Sequence, residues 1–435
     1  MTVELLKGFQ DFLPEAMIPR AAIIRTIQEL FERYGFMPQE TPALEYAELL
    51  LGKYGEEEKL IYQFADKGGR QVALRYDLTV PLARVVSMYR HQLPMPYKRY
   101  QAGMVWRAEK PQKGRFREFL QFDADIAGSA STLADAEILS MVCATMDLLQ
   151  VNAVVRVNDR RILNALLASL GLDAQTGKGV LVALDKNDRV GTDGVLAEIA
   201  ARGYAPVVAD GVHSYLDIQG SNAEILARLQ ERFAEFPEGL AGIQSLSDIL
   251  DLLIAQGIPA ERVVVDTSIA RGLDYYTGMI FETRLVDLPG IGSVCSGGRY
   301  DRLIGSVSGQ DVPAVGLSVG VDRLIAALQS LGRLNPQPTL TQVLIAQLTP
   351  ALNAVYCAVA AQLRRAGVRT EIYLEERRLS RQIQWADRQH IPIVIIIGED
   401  EVASGEVVIK DLRHQQEHRV PGHEVVARVQ ACLAE

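Results

Sequence analysis

Cysteine is scarce in this sequence: Cys143, Cys295, Cys357 and Cys432 are the only four among 435 residues. They are widely separated and form no CxxC pair, so a disulfide framework and a structural zinc site are both disfavoured. Long hydrophobic runs are lacking as well, and the N-terminus has no apolar stretch of the signal-peptide kind. We therefore expect a protein of the reducing cytoplasm with no membrane span.

An excess of positive charge is also missing. Lysine and arginine together number 45, against 54 for aspartate and glutamate, which gives a net charge of −9. A nucleic-acid-binding protein of this charge cannot use a uniform positive field and needs local basic patches. The chain of 435 residues is too long for one compact core, so two or three domains are expected.

The longer, N-terminal part of the chain predicts an α+β domain. Its strand-like runs are joined by charged or glycine-containing turns, which favours antiparallel pairing; they lie at 72–76, 99–107, 116–126, 275–285 and 313–320. Alanine- and leucine-rich helical patterns dominate between the third and fourth of these runs. We interpret residues 1–331 as a mainly antiparallel sheet domain with a helical insertion at about 158–263.

A linker and a second domain follow. The segment GRLNPQPTLTQ, residues 332–342, contains two prolines and several polar side chains, which is typical of a linker. Beyond it, strand patterns at 343–348, 368–374 and 393–397 alternate with helical ones. The alternation predicts a small α/β domain over residues 343–435 with a partly parallel sheet.

The run FREFLQFDADI is the most informative strand. Alternation gives one apolar face: Phe116, Leu120, Phe122, Ala124 and Ile126. The other face is mostly polar: Arg117, Phe119, Gln121, Asp123 and Asp125. A solvated outer face is the ordinary reading of such a pattern. An aromatic ring among two aspartates and an amide instead favours a ligand-binding wall, in which the ring stacks on a base and the carboxylates meet a cationic or N–H-rich ligand.

The run VWRAEKPQKGR, just upstream, predicts a strand that ends at Arg107 and a basic loop. As a bare pattern it is a basic hairpin. Together with Phe119 it resembles motif 2 of class II aminoacyl-tRNA synthetases, in which an aromatic residue precedes an arginine and an acid, and a second arginine follows the loop. Here those positions are Trp106, Arg107, Glu109 and Arg115. A planar guanidinium can grip an α-phosphate and a carboxylate.

Two weaker signals belong to the same class. In PAVGLSVGVDRL, which resembles motif 3, a glycine-bearing strand turns into a helix with Arg323 in its first turn, where the helix dipole also favours a triphosphate. Pro42, in GFMPQETPAL, resembles the motif 1 proline at the dimer interface. The resemblance thus implies a homodimer.

Further segments resemble the histidyl-tRNA synthetase family within this class. They are ARGLDYYTGMIFE and LRYDLTVPLAR, supported by KGFQDFLP, SGGRYDRLIG and IIIGEDEVASGEVVIKDL. The similarity covers essentially the whole chain, and only the insertion matches loosely. It implies an enzyme that activates histidine with ATP, accompanied by Mg²⁺, and transfers the histidine to the 3′ end of its tRNA.

The resemblance also implies roles for individual residues. The histidine-binding set is Asp77, Leu78, Thr79, Arg107, Gln121, Asp125, Arg271, Tyr275 and Tyr276. Within it, Asp77, Thr79 and Gln121 hold the α-amino group, while Asp125 and Tyr276 meet the imidazole. The ATP-binding set is Arg107, Glu109, Arg115, Phe119, Arg271 and Arg323. Arg107, Arg271 and Arg323 are the catalytic residues, and no metal ligand is assigned.

The tRNA-binding residues are expected in two places. Gln112 and Lys113 lie in the motif 2 loop. ERRLSRQIQWADRQH in the terminal domain, which the resemblance implies to be an anticodon-binding domain, offers four arginines: Arg377, Arg378, Arg381 and Arg388. A solvated helix face is the bland alternative for these four.

Two other functions are compatible with parts of the sequence. A regulatory subunit of ATP phosphoribosyltransferase shares the catalytic fold but lacks the terminal anticodon-like domain and is free to lose the Arg271 segment. A histidine-sensing module needs the pocket of Asp77, Gln121 and Asp125 without the phosphate-directed arginines. This sequence has the terminal domain and the arginines, so a histidine–tRNA ligase is the favoured function.

Overall fold

The computed structural model describes residues 3–111, 116–270, 275–334 and 336–435. By compactness the chain divides into two units. One spans Met1–Gln10 with Ile23–Leu334, and the other spans Asp11–Ala22 with Asn335–Glu435.

The first unit contains both strands and helices. Its strands are β1 (Met37–Pro38), β2 (Leu44–Tyr46), β3 (Gln63–Ala65), β4 (Gln71–Leu74), β5 (Tyr97–Trp106), β6 (Glu118–Ala127), β7 (Ala153–Asp159), β8 (Val263–Val265), β9 (Met279–Leu285), β10 (Ser293–Arg299) and β11 (Ala314–Gly320). Its helices, with α1 shared between the units, are α1 (Pro14–Arg33), α2 (Ala47–Leu50), α3 (Thr79–Tyr89), α4 (Thr132–Leu148), α5 (Arg160–Ser169), α6 (Lys178–Leu184), α7 (Asn187–Ala201), α8 (Pro206–Leu216), α9 (Asn222–Arg232), α10 (Pro237–Ala255), α11 (Gly305–Ser308) and α12 (Val321–Ser330).

An eight-stranded sheet with the order β1-β5-β6-β11-β10-β9-β7-β8 forms the centre of this unit. All neighbours from β5 to β7 pair antiparallel, while the outermost pairs, β1–β5 and β7–β8, are parallel. A smaller antiparallel sheet has the order β2-β4-β3. The α+β class and the mainly antiparallel sheet expected from the sequence are confirmed.

The apolar face of β6 is part of the main core. Phe122 packs edge-on against Phe31 of α1, with the ring centroids 5.1 Å apart, and stacks on Tyr100 of β5 at 5.7 Å. Ala124 and Ile126 on the same face are also buried. The polar side chains of the opposite face are buried as well: Gln121, Asp123 and Asp125. This face is therefore not a solvated outer face, and its function as a ligand-binding wall stays a prediction.

Helices α5 to α10 lie between β7 and β8 in the chain, with α10 packed on α5 and α4. Asp159 starts α5 by accepting a hydrogen bond from Arg161 N at 2.9 Å, and Ser221 with Glu224 forms a capping box at α9. Amphipathic helices with such caps can form a compact cluster between two strands of one sheet. We keep 158–263 as the proposed bounds of the insertion.

The strands of the first unit differ from the sequence-based expectation: β1, β2, β3, β7, β8 and β10 were not among the expected runs, and one expected run is several residues longer than its strand. The expected strand 275–285 begins only at Met279, because Tyr275 and Tyr276 lie outside the ladder and face the cleft described below. Strand β10 (Ser293–Arg299) was not expected, because its serine and glycine residues give almost no strand signal.

The second unit contains a five-stranded sheet of order β13-β12-β14-β15-β16, in which the first three strands are parallel and the last two antiparallel. The strands are β12 (Val343–Ile345), β13 (Thr370–Ile372), β14 (Ile393–Ile396), β15 (Glu406–Asp411) and β16 (Gln416–Pro421). The helices beyond the linker are α13 (Asn353–Arg365), α14 (Leu379–Arg388), α15 (Glu399–Ser404) and α16 (Val425–Ala434). The alternating pattern thus gives the partly parallel sheet that it predicted.

Candidate active site

A cleft of about 270 Å³ opens over the polar face of β6, β10 and β11. Carboxylates, arginines and aromatic rings line it together, which is unusual for a surface groove. The lining residues that carry a polar or aromatic group include Glu57, Asp77, Thr79, Arg107, Glu109, Phe119, Gln121, Asp123, Tyr275, Tyr276, Glu282, Ser318, Asp322 and Arg323.

The floor of the cleft is set by the β6–β11 register. Ser318 of β11 lies opposite Asp123, and its hydroxyl accepts a hydrogen bond from Gln121 Nε2 at 2.9 Å. Asp123 lines the cleft, whereas Asp125 does not. Asp125 is buried beneath it, 2.7 Å from the guanidinium of the fully buried Arg99 and hydrogen-bonded by the Tyr300 hydroxyl.

Glycine is required where the strands of the floor approach one another. A Cβ on Gly316 of β11 would lie 1.9 Å from Asp125 Oδ1. A Cβ on Gly297 of β10 would lie 2.1 Å from the carbonyl oxygen of Gly316, and one on Gly298 would lie 2.5 Å from that of Met279. No side chain fits at these distances, so the three glycines fix how closely β9, β10 and β11 pack around the buried acid.

Asp77 forms one wall, at the N-terminus of α3. Its carboxylate accepts hydrogen bonds from Val80 N at 3.0 Å, Thr79 N at 3.1 Å and the Tyr54 hydroxyl at 3.0 Å, and the Tyr275 hydroxyl lies 3.3 Å away. Four donors hold the carboxylate in one orientation. Burial raises the pKa of Asp77, while the backbone donors and Arg107 oppose the rise.

Three aspartates make this end of the cleft acidic. Burial is the largest cause that raises the pKa of Asp123, to about 7; Asp125 and Asp77 raise it further, and Arg99 and a Ser318 hydrogen bond lower it. The pKa of Asp125 is also raised, chiefly by burial and against the effect of Arg99. Buried carboxylates of this kind are stabilised when a cation or N–H donor enters.

Arg107 lies near both Asp77 and the ring of Phe119. Its Nε donates to the Tyr76 carbonyl oxygen at 3.1 Å, and its guanidinium carbon lies 4.2 Å from the centroid of the Tyr76 ring and 5.2 Å from that of Phe119. The backbone and two rings therefore hold the guanidinium in place. Its position allows one cation to face both a carboxylate and a phosphate.

The other end of the cleft is formed where β11 turns into α12. Asp322 Oδ2 accepts a hydrogen bond from Leu120 N at 2.8 Å, which ties the helix N-terminus to β6. Arg323, in the first turn, donates to the carbonyl oxygen of Ser293 on β10. A helix N-terminus and a guanidinium together favour an anion.

The structure brings most of the expected residues to one cleft. Those that line it are Asp77, Thr79, Arg107, Glu109, Phe119, Gln121, Tyr275, Tyr276 and Arg323. Leu78 is buried behind the wall, where its carbonyl oxygen accepts a hydrogen bond from Arg99 Nη2 at 3.0 Å. Four expected residues lie outside the described part of the chain: Gln112, Lys113, Arg115 and Arg271.

The terminal arginines are all exposed. Arg381 and Arg388 belong to α14, but Arg377 and Arg378 precede its first residue, Leu379. Arg377 pairs with Glu375 at 2.7 Å. Two of the four arginines therefore lie in α14 and two lie in the segment before it, so the four do not all belong to one helix.

Several lining residues were not assigned from the sequence: Glu57, Asp123, Glu282, Ser293, Ser318 and Asp322. Asp123 was expected on the polar face of its strand as one of two carboxylates of a ligand-binding wall, but it was not among the residues assigned to histidine. Ser318 had a signal in hindsight, because it is the polar residue of a strand otherwise made of small and apolar ones. Glu282 is an acid inside a buried strand, which is equally unusual.

Within residues 3–111, 116–270, 275–334 and 336–435, no group of three or more His, Cys, Asp or Glu side chains has the arrangement to hold a metal ion. No helix in the same ranges has the length and apolar character needed to cross a bilayer.

A mainly antiparallel sheet presents an arginine from the end of β5, an aromatic ring from β6 and a second arginine from the helix after β11. They belong to the segments that resemble motifs 2 and 3 of the class II aminoacyl-tRNA synthetases, and they line one cleft. The fold and cleft therefore define a class II synthetase catalytic domain, with a separate α/β unit after it.

Comparison with known proteins identifies the family. The family model "Histidyl-tRNA synthetase" matches residues 8–324, and the model "Anticodon binding domain" matches residues 342–431. A histidine–tRNA ligase of Rhodopirellula baltica is 43% identical over 95% of this chain and 94% of its own length, and one of Wolinella succinogenes is 41% identical with the same coverage. The crystal structure of histidyl-tRNA synthetase from Nostoc sp. PCC 7120 matches with a TM-score of 0.88 and 32% identity, covering 99% of each chain.

The chain therefore belongs to the histidyl-tRNA synthetase family. It is an enzyme, an aminoacyl-tRNA ligase whose amino acid is histidine, as the sequence motifs indicated. The regulatory-subunit alternative has less support, because full-length relatives are ligases and the anticodon-binding domain is present.

Proposed function

We propose that the cleft activates L-histidine in its first half-reaction and that Asp77, Gln121 and Thr79 bind the α-amino group. The observation that carries this assignment is that an acidic end, a fixed arginine and an anion-binding end share one cleft. The hydrogen bonds from Val80 N and the Tyr54 hydroxyl already orient Asp77 toward such a cation. An ammonium group that enters satisfies a buried carboxylate and lowers its pKa.

The imidazole is proposed to lie against Tyr276 and the acidic floor. Asp123 reaches the cleft there, and Asp125 lies behind it as a second negative charge balanced by Arg99. Histidine has two ring nitrogens, at least one of which carries a proton, and an acceptor is needed to select it. The residues proposed to bind histidine therefore still include Asp125 and Tyr275, as expected from the sequence, and now also include Asp123.

ATP is proposed to bind along the cleft, where it contacts the motif 2 residues around Phe119 and the motif 3 residue Arg323. Adenine stacks on Phe119, Glu109 contacts the nucleotide, and Arg323 with Arg115 binds the outer phosphates. Mg²⁺ accompanies the triphosphate and supplies neutralising charge there. Arg107 and Arg271 stabilise the charge that develops on the α-phosphate.

Two bond exchanges complete the reaction. An oxygen of the histidine carboxylate attacks the α-phosphorus, and the bond to the β-phosphate bridging oxygen breaks, so histidyl-adenylate and pyrophosphate form. A terminal ribose hydroxyl of the tRNA then attacks the adenylate carbonyl, losing its proton, and AMP leaves. We assign no general base; orientation and fixed charge account for the catalysis.

Recognition of the tRNA is proposed to use Gln112 and Lys113 near the catalytic centre and the arginines around α14 in the terminal unit. Residues 332–342 are the proposed linker between the domains at 1–331 and 343–435. The cytoplasm is the proposed location, since four scattered free cysteines, three of them buried, suit a reducing compartment.

The direct test of this function is ATP–pyrophosphate exchange with each of the twenty amino acids. Exchange is expected with histidine and with no other amino acid at comparable efficiency, because the acidic floor selects an N–H-bearing ring. Absence of exchange with histidine, or equal exchange with a second amino acid, contradicts the proposal.

A homodimer is proposed on the side of the catalytic unit that carries Pro42. Large apolar side chains are exposed on the short strands there: Met37, Leu44, Tyr46 and Phe64, each with 45–54% of its surface exposed. Tyr46 and Phe64 both lie opposite Val72 of β4, so they share one face of the small sheet, and an exposed apolar face of this kind is a candidate interface.

Sedimentation of the whole chain is expected to give a particle of twice 47.9 kDa. A Leu44→Asp, Tyr46→Asp double variant should shift it toward the monomer, because two buried carboxylates would then face the partner copy. The matched control, Val207→Asp, changes an exposed apolar residue of α8 and should stay dimeric. A wild-type chain that remains monomeric at micromolar concentration overturns the proposal.

A further inference from the structure

Residues 6–9 form a tight turn, which we call the N-terminal turn. Phe9 N donates a hydrogen bond to the Leu6 carbonyl oxygen at 3.0 Å, which closes four residues on themselves. Gly8 is the third of the four and has a φ of +91°. Glycine adopts this left-handed conformation without strain, and type II turns need it at this position. The turn therefore has its glycine where the backbone requires one.

The N-terminal turn packs directly on Arg117, the residue before β6. The Gly8 carbonyl oxygen accepts a hydrogen bond from Arg117 N at 2.8 Å, and the Lys7 carbonyl oxygen accepts one from Arg117 Nη1 at 3.4 Å. A Cβ on Gly8 would lie 2.9 Å from Arg117 Cγ and 3.0 Å from Pro111 Cγ. Glycine is therefore needed here for the close approach of the turn as well as for its φ angle.

Arg117 connects this turn to the cleft. Its Nε donates to the Glu109 carbonyl oxygen at 3.1 Å, and its own carbonyl oxygen accepts a hydrogen bond from Arg107 N at 2.9 Å. Glu109 and Arg107 both line the cleft, whereas Arg117 does not. The contacts between the N-terminal turn and two residues of the cleft therefore pass through a single arginine.

Glu109 depends on the Arg117 side chain more than Arg107 does. The guanidinium of Arg107 has restraints of its own, from the Tyr76 carbonyl oxygen and two aromatic rings. Glu109 lies beyond the β5–β6 ladder, which ends where residues 106 and 118 pair. A charged donor holds a carbonyl oxygen more firmly than a neutral one does, and Arg117 supplies such a donor to Glu109. Loss of the Arg117 side chain should therefore release Glu109 and leave Arg107 in place.

We propose that the N-terminal turn and Arg117 position Glu109 for ATP binding. The turn holds the side chain of Arg117, and Arg117 holds the main chain at Glu109, in the part of the cleft where the nucleotide is proposed to bind. Because Arg117 does not line the cleft, it is a positioning residue that acts through Glu109 and touches no substrate. The inference rests on the proposed function of Glu109 in binding the nucleotide.

The first test is the kinetics of histidine-dependent pyrophosphate exchange by Arg117→Ala. The KM for ATP is expected to rise about 10-fold, because a group that contacts the bound nucleotide is misplaced. The KM for histidine and kcat should change little, since the residues proposed for the α-amino group and the α-phosphate keep their own contacts. Arg117→Lys keeps the aliphatic stem beside Gly8 and one charged donor, so its KM for ATP should be intermediate.

A matched pair of glycine variants tests the turn itself. Gly8→Ala places a Cβ 2.9 Å from Arg117 Cγ at a φ of +91°, and should raise the KM for ATP as Arg117→Ala does. Gly257→Ala, just after α10, adds the same kind of backbone strain at a φ of +81°, but nothing lies within 4 Å of its Cβ, so the KM for ATP should not change. Thermal melting of each variant defines the temperature at which all are folded, and the kinetics are compared there.

A double-mutant cycle with Glu109→Ala separates the possible outcomes. Glu109→Ala alone should raise the KM for ATP, and adding Arg117→Ala should raise it no further, because the group that Arg117 positions is already gone. A further rise by the full factor overturns the inference and leaves the function of Glu109 intact. An unchanged KM for ATP in Glu109→Ala overturns the function proposed for Glu109, and the inference with it. A normal KM for ATP in Arg117→Ala, or equal increases in the Gly8 and Gly257 variants, also overturns the inference.

Discussion

Replacement of Arg107 by alanine is expected to lower kcat in histidine-dependent pyrophosphate exchange by about 10²–10³-fold, the usual loss for one fixed donor at a developing charge. The guanidinium is held before any substrate arrives, by the Tyr76 carbonyl oxygen at 3.1 Å and by the faces of two rings. Little reorganisation is then needed when negative charge builds on the α-phosphate. The effect should therefore appear in kcat at saturating ATP and histidine.

Two variants control this experiment. Arg107→Lys keeps the charge but loses the planar fork, so its rate should fall between those of the wild type and Arg107→Ala. Arg90→Ala removes an exposed arginine of the same unit that does not line the cleft, and should exchange normally. A rate for Arg107→Ala within threefold of the Arg90→Ala rate would show that Arg107 serves the fold alone.

The second large effect is expected in the terminal unit. Changing Arg377, Arg378, Arg381 and Arg388 together to glutamine should raise the KM for tRNA by about 10²–10³-fold at physiological salt, since each lost phosphate contact removes the release of one counterion. All four side chains are exposed, and the rest of a chain with net charge −9 repels RNA. Pyrophosphate exchange, which needs no tRNA, should be unchanged.

The matched control carries the same change in net charge at other exposed arginines of the terminal unit: Arg364, Arg365, Arg369 and Arg419. Aminoacylation by this control should stay close to that of the wild type, and the slope of tRNA affinity against salt should fall only in the first variant. Equal losses of tRNA affinity in the two variants would mean that the arginines of the whole terminal unit attract tRNA together and that those around α14 have no specific role.

Much of the cleft was predictable because strand alternation is a strong local signal. The period of two assigned Gln121, Asp123 and Asp125 to one face of β6, and that face is indeed covered. Sequence motifs supplied Arg107 and Arg323, which stand far apart in the chain and line one cleft.

Which of the two aspartates is open to the cleft could not be predicted from the same alternation. Alternate residues of a strand are separated by roughly 7 Å, so two carboxylates on one face can have different neighbours. Tyr300 and Arg99 cover Asp125, whereas Asp123 remains open to the cleft. Both covering residues come from other strands or their ends, and no local period in β6 contains that information.

Strand β10 was missed for a related reason. Its central residues, Ser296, Gly297 and Gly298, lack the branched or aromatic side chains that mark strands. They are small because the neighbouring strands leave no room: a Cβ on Gly297 would lie 2.1 Å from a backbone oxygen. The packing of β10 against its neighbouring strands therefore requires small residues, and small residues give no local sequence signal for a strand.

Gly316 and Asp125 restrict how this pocket can change in evolution or in the laboratory. With a Cβ at position 316 only 1.9 Å from Asp125 Oδ1, any library at Gly316 alone should return glycine. Asp125 has to be replaced by a smaller residue before a side chain can enter at 316, where the Ala124 carbonyl oxygen, 3.0 Å from the added Cβ, still has to shift. Since the first of these steps leaves Arg99 buried without its 2.7 Å partner, the route to a different amino acid passes through an unstable intermediate. If Asp125 has the role proposed for it, fidelity for histidine is protected by the order in which substitutions must occur.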